Sequence, residues 1–175
     1  MPPLVARRKL VPRLSRFAWL MGLYGENHGR LARLFDIRVL TPGRWISDLG
    51  DGLPLRIDVL DQHAYTSEIR LSYAMQDPVT GEPDPSAYVR LYHDARQVEA
   101  THCYVGRRWQ DVIGLHPTPE RLLGHRMRMN TFLGKWLQYL GDRGHGDASL
   151  HFEGPIAVAH GSAPEPALDA PPTSP

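Results

Sequence analysis

At 175 residues the chain has the length of one ordinary domain, and its 42% hydrophobic and 22% charged residues make a normal globular composition. No apolar run approaches the roughly 18–20 residues that a bilayer span needs, and a single cysteine, Cys103, excludes an intrachain disulfide. The formal net charge of +1 hides an asymmetry: residues 1–44 hold nine arginines and lysines against two acids, and residues 144–175 hold four acids with no Lys or Arg.

Residues 1–13, with Pro2, Pro3 and Pro12, read as a flexible basic leader. The arginines ahead of the apolar stretch Phe17–Leu23 superficially match a secretory signal. However, Gly25-Glu26-Asn27-His28-Gly29 follows directly, with no small-x-small cleavage pattern. The stretch reads instead as the start of an amphipathic helix, capped by Ser15 and running to about Phe35, with Leu20, Leu23, Tyr24, Asn27, Leu31, Leu34 and Phe35 in one stripe. From Trp45 the period changes to two. A short strand around Trp45–Asp48 precedes Leu55, Ile57 and Val59, which alternate with Arg56 and Asp58. After a turn at Asp61–Ala64, Ile69, Leu71 and Tyr73 alternate with Glu68, Arg70 and Ser72. A Pro/Gly/Asp-rich loop from Gln76 to Ser86 leads to Val89, Leu91 and His93, alternating with Arg90, Tyr92 and Asp94. A turn near Ala95–Gln97 then opens a strand over Val98–Val105. Thr118, Pro119 and Glu120 start a second helix, which Gly141 and Gly144 end. Residues 146–175, rich in Ala and Pro, are expected to be a disordered tail.

These elements predict one α+β domain over 14–145: an antiparallel four- to five-stranded meander with an N-terminal and a C-terminal helix packed on its apolar face. The other face would then gather Arg56, Asp58, Glu68, Arg70, Arg90, Tyr92 and Asp94. Arginine can grip a carboxylate or phosphate through two donors, and Tyr, His and Asp can stack or move protons. Alternation separates His93 from Arg90, Tyr92 and Asp94, so no catalytic unit forms within this strand, and His93 reads as a satisfied core histidine. For Arg90 and Tyr92 the favoured reading is a cross-strand pair with Glu68 or Asp58. Arg70, Arg90, Tyr92, Asp94 and Glu68 are the candidate residues for binding a ligand or partner.

Other motifs carry less. His102 and Cys103 are adjacent, not spaced as a metal pair, and Cys103 reads as a small semi-buried hydrophobe. With no Walker loop or dinucleotide fingerprint, no cofactor is expected. Arg121, His125, Arg126 and Arg128 spread around their helix, which disfavours nucleic acid as a partner.

The run Arg90-Leu91-Tyr92-His93-Asp94-Ala95 resembles the signature of the YqiB-like proteins, a family of uncharacterised gammaproteobacterial domains. Leu20–Phe35 is similar to that family's first helix, Val59–Tyr73 to its central hairpin and Asn130–Leu140 to its closing helix; the chain departs from it over 106–129. The resemblance implies a bacterial cytoplasmic protein and brings no activity or catalytic residues. The resulting expectation is a non-enzymatic binding or adaptor domain using the polar sheet face, with an unknown protein or an anionic small molecule as partner. The alternative is an enzyme or sensor acting on a phosphorylated small molecule such as a nucleotide. A closed polar concavity around Arg70, Arg90 and Tyr92 would favour the alternative, and a flat face the first reading.

Overall fold

The computed structural model describes residues 15–75, 86–103 and 117–156. The expected leader, most of the loop after Gln76, the segment 104–116 and residues 157–175 lie outside the described residues.

Helix α1 (Arg16–Leu34) begins where its cap predicts: the Ser15 hydroxyl accepts from the Ala18 N–H at 3.1 Å. Leu20, Tyr24, Asn27, Leu31 and Leu34 form its buried face. Strands β1 (Gly43–Ser47), β2 (Leu55–Gln62), β3 (Thr66–Tyr73), β4 (Ser86–Tyr92) and β5 (Gln97–His102) follow as an antiparallel meander. Helix α2 (Pro119–Arg143) comes next. The Thr118 hydroxyl caps it by accepting from the Arg121 N–H, and Gly144 ends it in the left-handed region at φ +96°, which glycine adopts at no steric cost.

The sheet has six strands rather than four to five. β6 (Leu150–Gly154) lies in the segment expected to be tail, and the order across the sheet is β5-β4-β3-β2-β1-β6. β6 occupies the free edge of β1, where unpaired backbone groups offer a ladder to any suitable segment. Side chains anchor it. Ser47 Oγ lies 2.6 Å from Ser149 Oγ and 2.8 Å from Nδ1 of the buried His145, and Phe152 packs edge-on against Trp45 at 5.1 Å. In sequence Leu150 and Phe152 alternate with His151 and Glu153, but the signal is only four residues long, and His151 to Glu153 are all exposed.

Leu55, Ile57, Val59, Ile69, Leu71, Val89, Leu91, Val98 and Ala100 line the apolar sheet face and share one core with Leu31, Leu34, Phe35, Leu133, Trp136, Leu137 and Leu140 of the helical layer. The helices approach closely at Gly134, where a Cβ would stand 2.7 Å from Asn27 Oδ1. Asn27 Nδ2 donates to the Asn130 carbonyl at 3.0 Å. Asn130 Oδ1 in turn accepts from the Ala100 N–H at 2.8 Å, which ties both helices to the outer strand β5.

Candidate functional site

The register sets out the polar face in rows. In the first, Arg44 stands opposite Asp58, Asp58 opposite Arg70, and Arg70 opposite Tyr88. The Asp58 side chain is 0% exposed. Its Oδ1 accepts from Arg44 Nε at 2.8 Å, and its Oδ2 from Arg70 Nε at 3.1 Å and Nη2 at 2.5 Å. Arg70 also donates to the Tyr88 hydroxyl at 3.5 Å, and its guanidinium carbon lies 5.9 Å from the centre of that ring. Burial works against the Arg70 charge, but the hydrogen bonds to Asp58 and Tyr88 outweigh it and hold its pKa above the ordinary arginine value.

The second row runs Glu68, Arg90, Glu99. Arg90 donates through Nε at 2.8 Å and Nη2 at 2.5 Å to Glu68 Oε1, and the hydrogen bonds to Glu68 and then Tyr92 raise its pKa. The Tyr92 hydroxyl donates to Glu99 Oε1 at 3.4 Å. Four of the five expected site residues (Glu68, Arg70, Arg90 and Tyr92) thus share this face. Asp94 does not. β4 ends at Tyr92, and Asp94 sits exposed in the following turn, accepting from the Ala95 N–H at 2.8 Å, so the alternation that placed it stops two residues short. Arg44 completes the Asp58 array unanticipated, its signal being only one residue in a five-residue strand.

His93 has a local partner, Nε2 lying 2.8 Å from Oγ of the buried Ser67. Burial, then the charge of Arg38, lowers its pKa. The pair resembles a nucleophile and its base, but Ser67 has no exposure to meet a substrate. Burial also pushes the Cys103 thiol up to about 12, which keeps it protonated and unreactive near neutral pH.

A concavity lies at the β5 edge. A cavity of about 430 Å³ opens between β5 and the first turns of α2. Its lining combines the polar or charged Arg90, Glu99, Thr101, His125 and Arg126 with the apolar Ala100, Pro117, Leu122 and Met129. A neighbouring groove of about 510 Å³ shares Glu99, Leu122 and Arg126 with it and adds Leu20, Tyr24 and Tyr92. Arg126 and Glu99 divide the two lobes through a loose contact, Nη1 to Oε2 at 3.7 Å. The Tyr24 hydroxyl is buried there beside Arg126 and Glu99, and burial followed by the Glu99 charge pushes its pKa up to about 12. Burial, then the charges of Arg128 and Arg126, lowers His125. Of the expected site residues only Arg90 lines the cavity and only Tyr92 the groove. Glu99 was legible as the alternating polar residue between Val98 and Ala100. Arg126 and His125 reach the site only through the docking of α2.

Among the described residues no group of three or more His, Cys, Asp or Glu is placed to hold a metal, and no helix is long and apolar enough to cross a membrane. A family profile described as a protein of unknown function, DUF1249, matches residues 30–146, from the later turns of α1 to just beyond α2. No curated protein and no solved structure matches the chain.

Proposed function

For a chain that belongs to the DUF1249 family of unknown function, and whose motifs resemble the YqiB-like gammaproteobacterial proteins, we propose a non-enzymatic cytoplasmic binding domain that takes its ligand in the cleft between β5 and α2. One observation carries this reading: the cavity of about 430 Å³ is lined by both charged and apolar side chains. A volume of this size suits a small molecule. The apolar lining residues suit a hydrophobic body, and Arg126 suits an anionic group, because its 3.7 Å contact with Glu99 is loose enough to be exchanged for a ligand. The centre of the polar face supports the reading by exclusion, since Arg44 and Arg70 are already committed to Asp58. A sensor of a phosphorylated small molecule would use the same cleft.

The test is a thermal-shift panel of anionic amphiphiles, nucleoside phosphates and fatty acids among them, on the wild type and on Arg126→Ala. At least one compound is expected to raise the melting temperature of the wild type and to lose that effect in the variant. A panel with no shift, or with equal shifts in both proteins, rejects the cleft. Release of product from a bound compound would move the assignment to the enzyme.

A further inference from the structure

A separate feature lies on the outer side of the helix pair. A groove of about 520 Å³ is lined there by Arg16, Gly124, Arg128, Thr131, Phe132 and Lys135. Arg16, Arg128 and Lys135 are exposed, no acid lines the groove, and among the described residues none of the three cations has a carboxylate within ion-pair distance. By contrast, Arg44, Arg70, Arg90, Arg126 and Arg143 each meet a carboxylate.

Two of the unpaired guanidinium groups converge. A Cβ at Gly124 would lie 3.3 Å from Arg16 Nη2 and 3.8 Å from Arg128 Nη1, so the two nitrogens reach towards one point on the α2 backbone. Like charges held this close repel. The local sequence makes the arrangement less favourable still. Arg16 occupies the first turn of α1, where the helix dipole favours an acid and no acid is present. Gly124, early in α2, gives up helix propensity relative to alanine while leaving room for both arginines. Such departures from local preference, with no compensating acid among the described residues, are expected where a binding site is built.

We infer that this groove binds the phosphate of a small molecule, with Arg16 and Arg128 donating to its oxygens across Gly124 and Lys135 adding a third positive charge. The planar donor fork of arginine matches phosphate. A small molecule is favoured over a nucleic-acid strand because the cations converge instead of tracking a line, and the groove has small-molecule volume.

The test uses the full chain and inorganic diphosphate as probe, titrated by calorimetry at two salt concentrations. The expected result is one site per chain that weakens as salt rises. Arg16→Ala and Arg128→Ala should each weaken it about tenfold or more, as loss of a charge-assisted hydrogen bond predicts, without lowering the ligand-free melting temperature. Arg126→Ala, which alters only the β5–α2 cleft, should bind diphosphate as the wild type does. Absence of diphosphate binding, or equal binding by Arg128→Ala, overturns the inference. So does binding of a short single-stranded DNA or of phosphatidylserine vesicles that is lost in Arg16→Ala and Arg128→Ala when diphosphate does not bind.

Discussion

The centre of the polar sheet face and its β5 edge are built from the same two side-chain chemistries and differ in what surrounds them. At the centre, Asp58 is 0% exposed and both its oxygens are taken by Arg44 and Arg70. Towards the edge, Arg90 and Glu68 pair with comparable distances, yet their side chains are 43% and 44% exposed, and Arg90 also lines a cavity. A buried carboxylate has no water to replace a lost partner, whereas an exposed pair trades its contact for solvation at small cost. Burial therefore makes the first array a structural tie and leaves the second free to take part in recognition.

The sharpest break of this comparison is Asp58→Ala. It leaves the partly buried Arg70 without its acid and Arg44 with only the 3.7 Å contact to Glu153, and should cost about 3–5 kcal/mol, read from the denaturant midpoint. A loss below about 1 kcal/mol would place Asp58 in the same class as the exposed pairs.

Gly134→Ala probes the scaffold that holds α2 over the edge. Its new Cβ would meet Asn27 Oδ1 at 2.7 Å and Arg30 Nη1 at 3.2 Å, so the helices must separate, at a cost of about 1–3 kcal/mol. Because Asn27 and Asn130 connect both helices to β5, the cleft should loosen with them, visible as faster hydrogen exchange at Ala100. Unchanged protection there would uncouple helix packing from the cleft.

Acid should act on the helical layer and its joins to the sheet. His125 at the cleft and His145 beside β1 both have pKa values lowered mainly by burial. The unfolded chain then takes up protons at higher pH than the folded one. The stability from keeping these histidines neutral is complete above the unfolded value of about 6.5, and it is lost as pH falls through the lower folded values. A melting temperature that stays flat from pH 7.5 down to pH 5 would remove this contribution. His145→Gln should reduce the slope if the buried ring beside Ser47 carries part of it.

The smallest effect is expected for Arg90→Ala, below about 1 kcal/mol in stability, since the Glu68 pair is exposed. Any larger change should appear in ligand affinity at the cleft. A stability loss as large as that of Asp58→Ala would abolish the distinction between the two arrays.

The contrast also separates what was legible in the chain from what was not. Ser15, Thr118, Pro119 and Gly144 act through hydrogen bonds and dihedral preferences a few residues long: α1 begins after Ser15, and α2 begins at Pro119 and ends at Gly144, passing through Gly141. Alternation in β2, β3 and β4 placed Asp58, Glu68, Arg70, Arg90 and Tyr92 on one face, because a strand sends successive side chains to opposite sides whatever its neighbours are. It misplaced Asp94 because nothing in the period announces where a strand gives way to its turn. Strand β6 carries an alternation only four residues long, and it is held by Ser47 and Trp45, which lie about a hundred positions earlier in the chain. The cleft has the same origin: Arg126 meets Glu99, and Asn130 meets Ala100, only after α2 has docked on the helix and sheet already formed. Short-range sterics and backbone hydrogen bonding are written locally, so sequence alone determined the helices, the strands of the meander and the polar face. Which edge recruits β6, which arginines find an acid and where a cavity remains depend on packing between distant segments, and only the tertiary structure decided them.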